Sequence, residues 1–455
     1  MNEEPLLNDA YAPREDVCFV AYSNSAWTND LHGTNAGPVT SRASRRLKLL
    51  YLTAETWPTF RVDVDVLFGR LLPLSGVTSD LVTMQARDPH PDTAWRGGAA
   101  KLAPPSKGPL SRHLRSFCHY IRELISADWA TYDAVQVRDL PLPAAAALLF
   151  ARWHRRPFFY WMSFPVPEGH IELARERGFE GGLVRYIFPW IRGRVGRIVL
   201  YRWVIPRADH VFVQSEQMKA RMIEKGFAAE RMTPVPMGVD LSNISPGPID
   251  PTIGARLDGH RTLVYLGLLE RSRRIEIVFE MMALLRPRFP DLLLVVVGDT
   301  EDESQRARLR RLADDTGVSD LVIWTGWVPI STAWGYVQRS DVGLSPIPRS
   351  ELLDVSSPTK IIEYLALGVP VVCNDNPDQK KIIDECGAGR CVPYAAASFA
   401  DAVAELLGLP PATREEMSRS GKEYVARHRS YPILAADLAK VYTALVESVG
   451  ARSRP

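Results

Sequence analysis

Little in this sequence is extreme, and what it lacks is informative. Its five cysteines, Cys18, Cys118, Cys373, Cys386 and Cys391, are an odd, scattered set with no CxxC pair. That excludes the common zinc and dithiol redox motifs and predicts reduced thiols in a cytoplasmic protein, although Cys386 and Cys391 stand close enough in sequence to be bridged. Basic and acidic residues balance at 55 and 53, so no nucleic acid is expected as a partner and any basic surface must be local. No run of about 18 uncharged apolar residues occurs, which excludes an ordinary membrane-spanning helix. The start, "MNEEPLLNDAYAPRED", has no basic region followed by an apolar one, so no secretory signal is expected. Neither a GxGxxG fingerprint nor a GxxxxGK[ST] loop follows any apparent strand. Their absence counts against a dinucleotide oxidoreductase and a P-loop NTPase.

What is present is a globular chain of 455 residues, 46% apolar, long enough for two or three domains. Residues 1–45 are rich in Asn, Ser, Thr, Pro and Gly and suggest an extension before the fold. From there short apolar runs alternate with helical patterns: "RRLKLLYLT", "SDLVTMQ", "YDAVQVRD", "PFFYWMSF" and "ADHVFVQS" are separated by stretches such as "PLPAAAALLFARWHR". Repeated strand–helix–strand units predict parallel sheets covered by helices on both faces. A Pro-, Gly- and Asp-rich stretch interrupts the pattern, and the alternation restarts with "RTLVYLGLL", "DLLLVVVGD", "DLVIWTGW", "DVGLSPI" and "PVVCND". The spacing predicts an α/β protein of two doubly wound, Rossmann-like domains, 46–240 and 261–430, joined by a linker at 241–260 and facing a cleft. A last helix over 431–450 could pack on either.

Ligands of open α/β sheets sit at the carboxyl ends of strands, where helix N-termini present free N–H groups to anions. Two stretches carry that signal. In "YLGLLERSRRIEIVFE", Gly267 permits close backbone approach and Arg271, Arg273 and Arg274 could clamp a diphosphate, or merely form a solvated basic turn. In "SSPTKIIEYLALGVPVV", Ser356 or Ser357 suits an N-cap, Pro358 the first helical position and Gly368 the C-terminal cap. Lys360 then falls in a first turn whose dipole disfavours a cation unless an anion binds beside it. Glu363, on the same face, can accept two hydroxyl hydrogen bonds, as a ribose offers. A surface Lys–Glu pair is the plain alternative.

Taken in order, "YLGLLERSRRIEIVFE", "LLLVVVGD", "VIWTGWVP", "SDVGLSPIP" and "SPTKIIEYLALGVPVV" resemble the donor half of retaining GT-B glycosyltransferases of family 4, of polysaccharide-biosynthesis type. The resemblance is strong in the second half of the chain and architectural in the first. It implies that Glu363 binds the ribose and that backbone groups at the helix start, from Ser356 and Ser357 to Thr359, meet the diphosphate, beside the Lys360 already singled out. It further implies that Arg271 and Arg273 stabilise the leaving group, that Gly326 to Val328 meet the base, and that the last helix crosses back to the first domain. A UDP- or GDP-linked sugar would be the donor, with no other cofactor and no metal, and transfer would retain the anomeric configuration. The sequence departs from the family pattern at Val355, where an acid usually stands eight residues before Glu363, at Leu268, and in "AETWPTFRVD", which replaces a glycine pair.

On the acceptor side, "VQVRDLP" and "FFYWMSFPVPEGH" place Arg138, Asp139, Ser163, Glu168 and His170 after strands of the first domain. Glu168 is the candidate to orient an acceptor hydroxyl. Arg138 with Asp139 could equally be an internal ion pair, and His170 a surface residue. "LVRYIFPWIRGRVGRIVLYRWVIPRA" holds six arginines and no acid. Its Trp190, Arg192, Arg194, Arg197 and Tyr201 are suited to an anionic lipid headgroup boundary on the cytoplasmic face of the inner membrane. The expected activity is hexosyl transfer to a polysaccharide or lipid-linked saccharide. A sugar-nucleotide epimerase or hydrolase, and a non-catalytic nucleotide-sugar-binding subunit, are the alternatives.

Overall fold

The computed structural model describes residues 46–59, 61–86, 94–105, 109–177 and 183–452; the extension expected over 1–45, with Cys18, lies outside them. The described cysteines are free, and Cys391 faces Cys373 across neighbouring strands rather than bridging to Cys386.

Two parallel sheets organise the chain. The first contains β1 (Leu47–Thr53), β2 (Val77–Met84), β3 (Ala100–Ala103), β4 (Ala134–Arg138), β5 (Phe158–Met162), β6 (His210–Val213) and β7 (Met232–Pro234), in the order β3-β2-β1-β4-β5-β6-β7. The second contains β8 (Arg261–Leu266), β9 (Leu292–Val297), β10 (Val322–Gly326), β11 (Val342–Ser345), β12 (Val371–Asn374) and β13 (Gly389–Val392), in the order β10-β9-β8-β11-β12-β13. All the pairings are parallel. This is the GT-B architecture.

Side chains on a strand alternate between faces, and here both faces are covered. Leu49 and Tyr51 of β1 join a core with Val64, Phe68, Leu438 and Tyr442, whereas Leu50 and Leu52 join one with Tyr120, Leu124, Leu148 and Val204. The helix Tyr431–Arg452 therefore packs on the first sheet, where Tyr442 donates to the Gln136 amide oxygen. Residues 241–260 include a helix, Pro251–Leu257, capped by Asp250, whose Oδ1 accepts from Thr252 and Ile253.

The chain crosses between domains twice, and the two crossings touch. Val239 donates to the Arg429 carbonyl at 2.8 Å and Tyr431 to the Val239 carbonyl at 3.0 Å. Beside them Arg429 and Asp378, both buried, form an ion pair at 2.6 Å.

Candidate functional site

The strand order of the second sheet reverses between β8 and β11, which is where open sheets form a ligand crevice. β8 is followed by Gly267 at φ +143°, and a Cβ on Gly298 after β9 would collide with the Gly267 carbonyl. Only glycine allows these two loops to close together. The segment after β11 leads into the helix Thr359–Leu367, which ends at Gly368 in the left-handed conformation. Its Tyr364 hydroxyl accepts from Leu266 N at 2.7 Å and donates to the Leu344 carbonyl at 3.3 Å. One phenol thus fixes the helix to both strands at the reversal.

The first turns of that helix carry the charges. Lys360 Nζ stands 4.0 Å from the centroid of the Tyr265 ring. Burial, with the charge of Arg273 nearby, pushes its ammonium down to about 7. Glu363 is pushed up to about 7 by burial, against the pull of the Trp334 indole and of Lys360. Both groups sit where their charged forms are under-solvated. A ligand with a diphosphate for Lys360 and Arg273 and hydroxyls for Glu363 would relieve both.

Several expectations need correction. Neither serine caps the helix: Pro358 is the N-cap. The Ser356 hydroxyl donates to the Leu353 carbonyl at 2.6 Å, and Ser357, buried, donates to Asp378 at 2.7 Å while accepting from Met237 N at 3.0 Å. Ser357 ties the loop before the helix to the interdomain crossing. Thr359 is the first helical residue, so its N–H remains at the helix start. Arg271 turns away from Lys360 to Asp302 at 3.6 Å and the Ser304 hydroxyl at 3.0 Å. A tight turn over Arg271–Arg273 splays the two arginines, and Arg273 alone is half-buried beside Tyr265 and Lys360. Gly326, at φ +65°, ends β10, and Val328 lies in the loop leading to the helix with Trp334.

On the first domain, Arg138, Asp139 and Ser163 are internal rather than open to an acceptor. Arg138 is 1% exposed and donates to Glu55 at 3.0 Å and Asp63 at 2.8 Å, and Asp139 takes both the N–H (3.0 Å) and the hydroxyl of Ser163. Glu168 is engaged by the Tyr201 hydroxyl at 3.1 Å and by Lys225 at 3.5 Å, so Tyr201 faces inward and not a lipid boundary. His170 is half-buried, not a surface residue, and burial with the Arg192 charge pushes its imidazole down to about 3. It stays neutral near pH 7.

The helix Leu183–Ile198 explains itself through glycine. A Cβ on Gly193 would come 2.6 Å from Ile171 Cγ1 and 2.8 Å from the Pro167 carbonyl. The glycine face is therefore sealed against the helix Val166–Arg177, which turns Ile187, Phe188, Ile191, Val195 and Ile198 outward, with Trp190, Arg192, Arg194 and Arg197 beside them. Arg194 covers the Trp190 ring at 5.2 Å, and Arg192 meets His113 on the neighbouring helix.

Sequence reasoning missed three residues that shape the site: Tyr265, Trp334 and Glu55. The two aromatics lay in apolar runs that gave no reason to single them out, and Glu55 lay in the stretch noted only for its missing glycines. Val355 is also unlike the acid it replaces. It packs, 5% exposed, in the core of the first domain, and its carbonyl accepts from the Ser215 hydroxyl at 2.7 Å.

Two α/β domains of parallel sheet, with Lys360, Arg273 and Glu363 gathered at one strand-order reversal, define a protein of GT-B architecture. Family models agree: residues 251–424 match glycosyl transferases group 1 and residues 67–243 match glycosyltransferase family 4. The chain belongs to this glycosyltransferase family. It is 29% identical over 276 residues to the GDP-mannose-dependent alpha-(1-6)-phosphatidylinositol monomannoside mannosyltransferase of Mycobacterium tuberculosis, covering 59% of this chain and 68% of that protein. It is 26% identical over 219 residues to the phosphatidyl-myo-inositol mannosyltransferase of Mycolicibacterium smegmatis, covering 46% of this chain and only 50% of that one. Among solved structures, sucrose-phosphate synthase from Thermosynechococcus elongatus superposes with a TM-score of 0.64 at 16% identity, covering 89% of this chain and all of that one. That likeness shows the fold.

Proposed function

We propose that the protein transfers a hexose from a nucleoside-diphosphate sugar to a lipid-linked saccharide or lipid-anchored polyol, retaining the anomeric configuration. The observation that carries this reading is the grouping of Lys360, Arg273 and Glu363 around one helix start at the sheet reversal. Preorganised cations and helix N–H groups stabilise the charge that develops on a departing diphosphate, in the role a bound metal would otherwise take. Glu363 holds the ribose, Thr359 N–H and Lys360 the phosphates, and the loop Gly326 to Val328 the base. The relatives' names support a GDP-mannose donor and a phosphatidylinositol-type acceptor.

Among the described residues no helix is long and apolar enough to cross a membrane. The outward face of Leu183–Ile198 instead favours peripheral docking on anionic lipid, from the cytoplasmic side. The test is to incubate the protein with GDP-mannose, then with UDP-sugars, with and without vesicles containing phosphatidylinositol. Sugar appearing in the lipid fraction supports the reading. Nucleotide release that ignores the acceptor would favour a hydrolase or epimerase, and tight donor binding without turnover a binding subunit.

A further inference from the structure

The first sheet reverses its strand order too, between β1 and β4. The second sheet's reversal holds Lys360 and Glu363, and the first holds an ion-pair cluster of its own. Glu55 follows β1, Arg138 ends β4, and Asp63 starts the helical segment that runs to Leu74. Arg138 donates to Glu55 Oε1 at 3.0 Å and to Asp63 Oδ2 at 2.8 Å, and Arg61 Nε reaches the same Glu55 oxygen at 3.2 Å. Both arginine bonds to Glu55 fall on Oε1; among the described residues Oε2 accepts none. Beside it, among the described residues, Arg138 Nε and Asp63 Oδ1 are buried without partners. Glu55, with 13% of its side chain exposed, and Arg61, with 53%, are the members that reach the surface.

A glutamate on a surface loop normally samples many rotamers and binds nothing firmly. This one is held by two guanidinium groups, one of them wholly buried, and they keep its carboxyl below the usual range despite burial. It is a poor base and a well-fixed hydrogen-bond acceptor. Its position at the carboxyl end of β1 puts it where an open sheet binds its ligand.

We propose that Glu55 is the residue that binds the acceptor, its Oε2 accepting a hydrogen bond from a hydroxyl of a polyol such as a sugar or inositol ring. Arg138 and Arg61 are positioning residues that act through it. The proposal rests on the glycosyl-transfer reading above and deepens it. It also replaces Glu168, whose carboxylate is already taken by Tyr201 and Lys225.

The experiment compares the full-length protein with Glu55→Gln, using GDP-mannose as donor probe and phosphatidylinositol vesicles as acceptor probe. Transfer, donor hydrolysis to water without acceptor, and GDP affinity are each measured. Glu55→Gln should lower kcat/KM for the acceptor about 10- to 100-fold, the worth of a hydrogen bond to a charged group, with GDP affinity unchanged. A merely structural carboxylate would lower all three together. An acceptor kcat/KM within twofold of wild type in a folded variant overturns the proposal while leaving glycosyl transfer intact. Wild-type protein that binds GDP-mannose yet transfers to no acceptor overturns both. If Glu55→Gln does not fold, Arg61→Gln, on the surface, should still raise acceptor KM alone; an unchanged KM then overturns the proposal.

Discussion

Lys360 lies over the face of Tyr265, its Nζ 4.0 Å from the ring centroid, with the Arg273 charge close enough to oppose it. The ring attracts a cation but supplies no counter-charge. Burial first, and then the Arg273 charge, pushes the ammonium down to about 7 from its ordinary 10.5. A bound diphosphate would restore the charge, so between about 7 and 10.5 the complex holds more protons than the free protein. Nucleoside diphosphate affinity should fall as pH rises above 7, by up to about tenfold per unit for one linked proton. Calorimetry in two buffers of different ionisation enthalpy should show proton uptake at pH 8. Lys360→Met should abolish both the uptake and the slope.

Glu363 carries the opposite problem. Its carboxyl is pushed up to about 7, chiefly by burial. The folded protein therefore binds more protons than the unfolded chain between 4.5 and 7, and this group's contribution to stability is lost as pH rises through that window. Lys360 adds to the effect, since its depressed value removes stability as pH falls from 10.5 toward 7. Without ligand the site costs most near neutrality. Glu363→Gln should thus raise Tm at pH 7.5 while weakening GDP binding about tenfold or more through the lost charged acceptor. A lowered Tm with unchanged GDP affinity would remove Glu363 from the site.

Arg429 and Asp378 pair at 2.6 Å with side chains 5% and 7% exposed, and Arg429 also reaches the Ser357 hydroxyl at 3.2 Å. A buried pair broken on one side leaves an uncompensated charge, at a cost of about 3–5 kcal/mol. Asp378→Asn should lower the urea midpoint accordingly. Because Ser357 joins this pair to Met237 N, the variant should also expose the 237–240 crossing to protease before global unfolding. A midpoint shift of less than about 1 kcal/mol would mean that the pair is solvated or replaceable.

How far the sequence displays this arrangement depends on whether the signal is local. The buried strands were legible because both faces are covered and Leu, Val and Ile run almost unbroken, as in "DLLLVVVGD". β3, "AKLA", and β13, "GRCV", are four-residue strands with no such run and went unread, as did the helices Ala396–Gly408 and Pro411–Tyr424. Lys360 and Glu363 stood out as charges in an apolar helix. Ser357 misled because a serine before Pro358 looks like a cap, yet its hydroxyl serves Met237, 120 residues away. Glu55 was invisible for the same reason, since the arginine that fixes it lies 83 residues along the chain. Val355 shows the limit from the other side. The family pattern places an acid at this position, but the Val355 side chain packs in the first domain's core.

The outward face of Leu183–Ile198 supplies the last prediction, because its two components can be removed separately. Ile187, Phe188, Ile191, Val195 and Ile198 are 36–59% exposed. Each buried apolar side chain contributes about 1.5–3 kcal/mol when taken fully from water, and each basic residue about 1 kcal/mol at an anionic surface. Arg192, Arg194 and Arg197 changed together to Gln should cut sedimentation with anionic vesicles by roughly two orders of magnitude at low salt and abolish its salt dependence. Ile191→Ser with Ile198→Ser should weaken binding to anionic and neutral vesicles alike and leave the salt slope in place. Since Gly193 seals the opposite face, the isoleucine set leaves the packing against Val166–Arg177 untouched and Tm should hold, whereas Arg192 also meets His113, so the arginine set is scored on vesicle binding by variants that remain folded. Undiminished sedimentation of the arginine variant would show that this face meets something other than anionic lipid.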